Sequence, residues 1–336
     1  MRVGLAGAGR IGASHAGVLS GAPGVDALVV TDVDGARARD VADRLGAQVA
    51  DSPEEMLRSG VDALVIATPT ASHAELILAG VAAAVPVFCE KPVALDLAAT
   101  LRVQAAVLER DAVVQIGFQR RFDAGYAAAR TAVTDGLLGT VHRVHAITAD
   151  PEPPAAQYIP TSGGIFRDCH IHDFDMIRWV TGQEVLAVTA IGANLGAAFF
   201  AESGDVDTSA ALLELSGGAL ATLQGSRYNG GGYDVRMEVA GTAGTWAVGM
   251  DPRVPLRTSE GGLVGAPATW PNFWERFAPA YAAEMAAFLD LARGEGPNPC
   301  PVSEALAALR IAEAADASRR QGVRVAVAAD PDYALR

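Results

Sequence analysis

Few cysteines, little positive charge and no long apolar runs set the first limits on this chain of 336 residues. The three cysteines, Cys89, Cys169 and Cys300, are odd in number and widely spaced, which is typical neither of a disulfide framework nor of a CxxC metal knuckle. They are predicted to be free thiols. The opening MRVGLAGAG lacks the features of a signal peptide, and no apolar run has membrane-spanning length. We expect a cytoplasmic protein without a membrane partner.

The charge balance narrows the classes of partner. The formal net charge is -13, and such a surface repels nucleic acids and anionic membranes. Hydrophobic residues make up 50% of the chain and charged residues 19%, which is enough for a large core. The length favours two domains over one. The expected partners are small molecules.

Short β-branched apolar runs alternate with helical patterns over residues 1–120. The runs lie at 3–7, 27–30, 63–68, 85–89 and 112–118. Their length and continuity are typical of strands that are covered on both faces. The segments between them carry apolar residues at helical spacing. This alternation predicts an α/β domain with a doubly wound parallel sheet.

The pattern changes from about residue 140. Segments rich in Val, Thr and Leu now follow one another and are joined by tight turns such as Gly217-Gly218. They predict an α+β domain, residues 121–336, with a large, mostly antiparallel open sheet. Two helical segments close the chain. The exposed face of the predicted sheet favours association of copies of the chain.

A glycine triplet follows the first predicted strand at the start of a helix. Gly7 allows a tight turn, Gly9 lets the backbone approach a pyrophosphate, and Gly12 permits close packing of helix and strand. Asp32 ends the second strand, where a carboxylate binds the adenosine ribose and repels a 2'-phosphate. NAD is therefore favoured over NADP, although Arg37 can soften that preference. The predicted cofactor residues of this part are Gly7, Gly9, Arg10, Ile11, Gly12, Asp32, Val33 and Arg37. The alternative is that the glycines serve only a turn.

ATPTASH, residues 67–73, follows another predicted strand. Ligands of parallel sheets lie at the carboxyl ends of the strands, so Thr68, Pro69 and His73 are predicted to line the nicotinamide side. The alternative is that Thr70 or Ser72 caps the next helix and that His73 rests on the helix surface.

CEKP, residues 89–92, follows the next predicted strand. Lys91 is predicted to face the same mouth of the sheet, and the proline after it favours an extended backbone. Glu90 and Lys91 are also predicted to contact the cofactor, and Glu90 can hold the charge or the orientation of Lys91. The alternative is that Lys91 is a solvated surface residue.

GGIFRDCHIHDFD, residues 163–175, brings carboxylates and imidazoles together. If residues 168–180 form a helix, Asp168 and His172 lie four apart on one face, and His170 points elsewhere. A metal site requires a third ligand at fixed geometry, which neither the histidine pair nor the distant cysteines supply. No metal is predicted.

The same stretch also allows a structural interpretation. Asp168 can be a charge at a helix N-terminus, while Asp173 and Asp175 are solvated or pair with Arg178. Asp173 is the first candidate for a residue without a role in the site.

Taken in order, GAGRIG, ATPTASH, CEKP, GFQRRFDAGY and GGIFRDCHIHDFD resemble the Gfo/Idh/MocA oxidoreductase family, and its inositol 2-dehydrogenases in particular. The resemblance covers essentially the whole chain. It implies an N-terminal Rossmann domain that binds NAD(P) and a C-terminal domain that supplies substrate contacts and the interface of an oligomer, commonly a tetramer. It also implies that Lys91, Asp168 and His172 occupy the catalytic positions and that Arg120 and Tyr233 lie near the substrate.

The implied reaction is oxidation of a secondary hydroxyl to a ketone by hydride transfer to nicotinamide. His172 is the expected base, because imidazole titrates near neutral pH. Lys91 is expected to stabilise the developing alkoxide, and Asp168 to orient this pair and hold a substrate hydroxyl. A polyol fits a pocket formed by these three residues with Arg120, Asp150 and Tyr233. Arg120 and Arg121 can instead be a surface pair or an anchor for a cofactor phosphate.

ITADPEP departs from the family pattern. Thr148 and Asp150 stand where inositol dehydrogenases tend to have a histidine and an asparagine, so the set of hydroxyls that the site holds can differ. The expected substrate is myo-inositol or another inositol isomer. The alternatives are a pyranose, an inosose or an aminocyclitol. Two further alternatives are a non-catalytic regulator that binds NAD or sugar and a metal-dependent enzyme built on His170 and His172.

Overall fold

The structure, a computed structural model, describes residues 1–258 and 268–328. These residues form two compact units. The first unit comprises residues 1–122 and 279–306, and the second comprises residues 123–278 and 307–336 as far as they are described. The boundaries between the units fall within the two long C-terminal helices, so each helix contributes residues to both units. The predicted second domain, by contrast, contains all residues from 121 to 336.

A six-stranded parallel sheet forms the centre of the first unit, in the order β3-β2-β1-β4-β5-β6. All five neighbouring pairs are parallel, which confirms the predicted doubly wound sheet. The strands are β1 (Arg2–Ala6), β2 (Ala27–Thr31), β3 (Gln48–Val49), β4 (Ala63–Ile66), β5 (Val87–Glu90) and β6 (Val114–Gly117). The two-residue β3 was missed because it is too short to carry a hydrophobic pattern.

Helices connect these strands. They are α1 (Arg10–Ser20), α2 (Gly35–Leu45), α3 (Pro53–Arg58), α4 (His73–Ala82) and α5 (Leu97–Glu109). Side-chain caps define several starts: Asp34, Ser52 and Asp96 each accept a hydrogen bond from a backbone N–H of the first turn, which satisfies a donor that the helix leaves unpaired.

A C-terminal helix completes the core of the first unit. Met285, Phe288 and Leu289 of α11 (Phe273–Ala292) belong to the same buried cluster as Leu5 of β1 and Phe88 of β5. Burying a side chain of this kind stabilises the fold by about 1.5–3 kcal/mol. The apolar face of α11 therefore explains why residues 279–306 pack with the first unit.

The second unit is built on a seven-stranded sheet in the order β12-β11-β7-β10-β9-β8-β13. Its strands are β7 (Val141–Ala149), β8 (Val185–Ala193), β9 (Thr208–Leu215), β10 (Leu220–Ser226), β11 (Asp234–Gly241), β12 (Thr245–Val248) and β13 (Val325–Ala326). All neighbours are antiparallel except β7 and β10, which run parallel. The prediction of a mostly antiparallel sheet is confirmed, and Gly218, at φ +85°, forms the β9–β10 turn.

The second unit also contains helices. They are α6 (Ala124–Thr134), α7 (Ile159–Ser162), α8 (Ile165–Asp168), α9 (Ile171–Thr181), α10 (Phe199–Glu202) and α12 (Val302–Gln321). Of these, α6 contacts the sheet at β12 and α9 contacts it at β7. The predicted continuous helix over residues 168–180 is wrong. α8 ends at Asp168 and α9 begins at Ile171, so Asp168 and His172 belong to two different helices.

Candidate active site

The glycine-rich turn between β1 and α1 has the geometry of a dinucleotide cradle. Gly7 has φ +95°, and a Cβ there would lie 2.6 Å from the backbone of Ala67. A Cβ on Gly12 would lie 1.9 Å from the Gly7 carbonyl oxygen, whereas no atom lies within 4 Å of a Cβ built on Gly9. Gly7 and Gly12 are thus required by close packing, and Gly9 leaves open space at the start of α1. This arrangement fits a pyrophosphate at the helix N-terminus.

Asp32 lies at the carboxyl end of β2 beside this turn. Its Oδ2 accepts a hydrogen bond from the Ala8 N–H at 2.7 Å, and its Oδ1 accepts one from the Asp34 N–H at 2.8 Å. Arg37 Nη1 is 3.8 Å from Asp32 Oδ1. The carboxylate is therefore fixed against the glycine turn, where it can meet the adenosine ribose.

His73 is buried beneath the loops that follow β4 and β5. It is 1% exposed, so the alternative of a surface histidine is wrong. Its Nδ1 lies 2.7 Å from the Pro92 carbonyl oxygen and its Nε2 lies 2.8 Å from the Thr68 carbonyl oxygen. A carbonyl oxygen can only accept a hydrogen bond, so the protonated nitrogen of the His73 ring is the donor. The ring thus ties the loop that holds Thr68 to the loop that holds Lys91.

We expect His73→Gln to lower the thermal stability of the protein. The substitution leaves buried carbonyl oxygens without a well-placed donor, and each such loss costs about 1–3 kcal/mol. The midpoint of thermal unfolding should fall by about 3–10 °C. His145→Gln is the matched control, because His145 makes a single exposed contact with Thr222 on β10. Equal midpoints for the two variants would contradict the tie between the loops.

The predicted helix caps after β4 take a different form. Ser72 Oγ lies 2.7 Å from Thr68 Oγ1 and 2.9 Å from the Pro69 carbonyl oxygen, within hydrogen-bond distance of both. No side-chain cap bond is present at the start of α4. These bonds tighten the Thr68-Pro69 loop instead of capping the helix.

Two buried glutamates lie near the start of the loop that holds Lys91. They are Glu90, the residue before Lys91, and Glu284 on α11. Glu90, at the end of β5, lies 2.7 Å from His15 Nε2 on α1 through its Oε1. Burial, with Glu90 nearby, raises the pKa of the Glu284 carboxyl well above its usual value, which favours its neutral form. The structure thus gives Glu90 a partner on α1, the helix that begins at the glycine turn.

Lys91 is the only lysine in the chain. The 26 basic residues are otherwise all arginines. A guanidinium stays protonated at any ordinary pH, whereas a lysine amine is compact and can exchange a proton. This chain therefore uses arginine at every cationic position except the one that directly follows β5. The sequence alone shows this contrast between Lys91 and the arginines.

The backbone around Asp168 is set by two glycines and an aspartate. Gly163 and Gly164 have φ of +81° and +87°, a region that disfavours residues with a Cβ. Asp205 Oδ1 then accepts a hydrogen bond from the Ile165 N–H at 3.0 Å, at the start of α8. Asp168 is the last residue of α8 and is partly exposed. His172 on α9 is also partly exposed.

A buried polar network lies behind these two residues. His170 Nδ1 is 2.8 Å from Asp173 Oδ2, and His170 Nε2 is 2.8 Å from the Ser209 hydroxyl on β9. The Thr148 hydroxyl on β7 donates to Asp173 Oδ1 at 2.9 Å. Asp173 and Asp175 are both 0% exposed, so the alternative in which they are solvated is wrong. Asp173 organises the start of α9.

Asp168 is held at both carboxylate oxygens. The Tyr158 hydroxyl donates to Oδ1 at 2.8 Å, and Arg227 Nη2 donates to Oδ2 at 2.7 Å. Arg227 also contacts Asp150 Oδ2 through Nη1 at 3.3 Å. Burial, with Asp168 nearby, raises the pKa of Asp150. Arg227 was missed because it lies 59 residues after Asp168 in the chain. Tyr158 lies only ten residues before Asp168, but no motif connects the two side chains.

The remaining predicted residues occupy varied settings. Arg120 is 1% and Arg121 is 6% exposed, so the alternative of a surface pair is wrong. Arg121 binds Glu304 at 2.9 Å and the Pro299 carbonyl oxygen at 2.9 Å, within the first unit. Tyr233 is 5% exposed. Around the cofactor turn, Arg10 and Ile11 open α1 and the side chain of Val33 is fully exposed.

The described ranges contain neither a membrane-spanning helix nor a cluster of metal ligands. Within residues 1–258 and 268–328, no helix has the length and apolar content to cross a membrane. Over the same residues, no three His, Cys, Asp or Glu side chains are grouped to hold a metal ion. Cys89, Cys169 and Cys300 are buried and are not joined in a disulfide, as predicted.

Known proteins match the chain along both units. A family model described as an oxidoreductase family with an NAD-binding Rossmann fold matches residues 1–118, and one described as a GFO/IDH/MocA C-terminal domain matches residues 126–247. The chain belongs to the Gfo/Idh/MocA oxidoreductase family. It is thus an oxidoreductase whose first unit is an NAD-binding Rossmann domain, in agreement with the glycine turn and Asp32.

Individual members of the family are similar over nearly their full length. The myo-inositol dehydrogenase Hyg17 of Streptomyces leeuwenhoekii is 38% identical over 96% of this chain and 98% of its own. The inositol 2-dehydrogenase of Rhizobium meliloti is 36% identical over 98% and 99%. The scyllo-inositol dehydrogenase of Lactobacillus casei, solved with NAD(H) and scyllo-inositol, aligns with a TM-score of 0.88 at 30% identity over 98% and 99%.

Proposed function

We propose that this protein oxidises a secondary hydroxyl of a cyclitol, myo-inositol or another inositol isomer, to the ketone with NAD as the oxidant. The observation that carries the proposal is the single lysine. Lys91 stands at the carboxyl end of a central parallel strand, where ligands of such sheets bind, in a chain that uses arginine at every other basic position. The inositol dehydrogenases that align along the whole chain support the choice of substrate class.

The roles of the three proposed catalytic residues follow from their chemistry. His172 accepts the proton of the reacting hydroxyl, since a neutral imidazole is a base near pH 7. Lys91 donates a hydrogen bond to the same oxygen as negative charge develops on it. Asp168 carries a negative charge that orients the Lys91 ammonium and the His172 imidazole. Bound NAD supplies the hydride acceptor.

The polar residues of the second unit support a substrate with several hydroxyls. Asp150, Asp168 and Arg227 form a charged cluster after the ends of β7 and β10. The carboxylates of Asp150 and Asp168 accept hydrogen bonds, so they suit vicinal hydroxyls. We propose Asp150, Arg120 and Tyr233 as substrate-binding residues. The extra carboxylate at Asp150 also makes an aminocyclitol a specific alternative, because an ammonium would pair with it.

We also propose that the protein is a cytoplasmic homo-oligomer, with a tetramer as the expected form. One face of the second sheet carries the exposed apolar side chains of Ile191, Leu212 and Leu220. Exposed apolar side chains that share a face favour burial against another copy. Light scattering of the purified protein measures the mass directly, and a monomer at micromolar concentration would contradict the proposal.

NADH formation tests the proposed reaction. NAD and NADP are each supplied with myo-, scyllo- and D-chiro-inositol, glucose, xylose and an aminocyclitol, and absorbance is followed at 340 nm. We expect turnover of an inositol with NAD. Turnover of glucose, xylose or the aminocyclitol alone would move the proposal to that substrate class. Tight NADH binding without turnover of any compound, in either direction, would contradict it in favour of a regulator.

A further inference from the structure

Two residues that are distant in sequence become neighbours through a parallel strand pair. β7 and β10 run parallel, with Ala149 paired to Ser226 at their carboxyl ends. Asp150 and Arg227 are the next residues along the two strands. The Asp150 N–H bonds the Ser226 carbonyl oxygen at 2.9 Å, which continues the ladder by one step. The sheet therefore places a carboxylate and a guanidinium side by side.

Arg227 is a buried cation with two carboxylate partners. The residue is 3% exposed. Nη2 donates to Asp168 Oδ2 at 2.7 Å, and Nη1 lies 3.3 Å from Asp150 Oδ2. The shorter bond goes to Asp168. One guanidinium thus connects the end of α8 to the carboxyl end of β7, and its backbone N–H is itself fixed to the Asp207 carbonyl oxygen at 2.7 Å.

Tyr158 fixes the other oxygen of the same carboxylate. Its hydroxyl donates to Asp168 Oδ1 at 2.8 Å. Burial and then the adjacent Asp168 raise the pKa of Tyr158, so the phenol remains a donor throughout the working pH range. Asp168 is consequently held by a cation on one side and a neutral donor on the other, which defines its rotamer and favours its ionised form.

We propose that Arg227 and Tyr158 are positioning residues that hold Asp168 charged and in one orientation, with Arg227 shared between Asp168 and Asp150. This inference rests on the proposed function, since Asp168 is there given a role in the reaction. A lysine cannot replace Arg227, because one ammonium cannot reach two carboxylates with the divergent N–H groups of a planar fork.

Kinetics of three variants test the proposal. Arg227→Ala and Arg227→Lys should each lower kcat about 100-fold, with the KM for NAD changed less than about threefold. Tyr158→Phe removes one hydrogen bond to a charged group and should lower kcat about tenfold. Added guanidinium should restore part of the activity of Arg227→Ala, whereas ethylammonium should not, because only the former has the planar fork.

Arg178→Ala is the matched control. Arg178 is also 3% exposed, and it donates to the Glu184 carboxylate through two N–H groups at 2.7 and 2.8 Å. We expect it to lose thermal stability and to keep its kcat, without a response to guanidinium. Parent-like kcat in Arg227→Lys and Tyr158→Phe, or equal guanidinium effects on the Arg227 and Arg178 variants, would overturn the positioning role.

A thermodynamic cycle separates this proposal from the proposed function. The unfolding free energies of Arg227→Lys, Asp168→Asn and the double variant are compared with the parent in the presence of NADH. A pair in direct contact gives a non-additive double variant. Non-additivity in a protein that turns over no cyclitol would retain the pair and reject the function. Additive effects would reject the pair even if inositol is oxidised.

Discussion

Lys91→Met should abolish most of the turnover while leaving the cofactor in place. The substitution keeps the length of the side chain but removes the ammonium that stabilises the developing alkoxide. Loss of one such donor costs about 100- to 1000-fold in kcat, and we expect the upper end of that range because no second lysine can substitute. The dissociation constant of NADH, measured by fluorescence titration, should change less than about threefold. A kcat within tenfold of the parent would contradict the role of Lys91.

Lys91→Arg distinguishes charge from amine chemistry. It preserves a positive charge at the same position, but the guanidinium is larger and does not release a proton. We expect kcat to remain at least about 100-fold below the parent. If Lys91→Arg restores turnover, a simple positive charge is sufficient, and the retention of a lone lysine needs another explanation.

The composition of the chain offers an independent measurement on the unmodified sequence. Reductive methylation has only two kinds of target here, the Lys91 amine and the terminal amine. Inactivation should follow methylation of Lys91, and bound NADH with inositol should slow it by excluding the reagent. The Lys91→Met variant, methylated in parallel, reports the contribution of the terminal amine.

The sequence was most informative where function depends on local order along the chain. A short apolar run directly precedes each of three features: the glycine turn, Asp32 and the CEKP segment that contains Lys91. These runs are the strands of the first sheet, and their apolar, β-branched composition is visible in the sequence. Those features depend on contacts within about 30 residues, which is the range of a βαβ unit. The structure confirms the parallel sheet. It also places the glycine turn and Asp32 next to each other at the carboxyl ends of the strands.

The surroundings of Asp168 could not be predicted in the same way. Asp150 and Arg227 meet because β7 and β10 pair in parallel across an intervening segment that contains β8 and β9. Sequential strands usually pair as neighbours, so the pattern of glycine turns indicated hairpins and gave no sign of this pair. The position of Arg227 follows from topology and not from a motif.

Asp173 illustrates a second limit. A charged residue in the first turn of a helix is usually solvated or bound to the helix terminus. Here His170 and Thr148 enclose it, and Thr148 comes from a strand about 25 residues earlier. Thr148 is one of the two positions at which we expect this chain to differ from inositol dehydrogenases, and its hydroxyl donates to Asp173. Its effect on substrate choice is therefore expected to act through α9.

Asp32→Ser should change the cofactor preference more than any other single substitution in the first unit. The Asp32 carboxylate accepts two backbone hydrogen bonds and presents a negative charge where a 2'-phosphate would bind. Without it, kcat/KM for NAD should fall about 100-fold, because the contacts to the ribose are lost. The value for NADP should rise about tenfold as the repulsion is removed, so the ratio changes by about 1000-fold.

Val33 allows the change to be carried further. Its side chain is fully exposed directly after Asp32, so Val33→Arg in the Asp32→Ser background places a cation beside the expected phosphate position. Asp34→Asn is the matched control, since it neutralises a carboxylate two residues away while keeping a side chain that caps α2. Its NAD to NADP ratio should stay within about threefold of the parent. If Asp32→Ser keeps the ratio of the parent, the preference resides elsewhere, and Arg37, which lies near both Asp32 and Asp34, becomes the residue to vary.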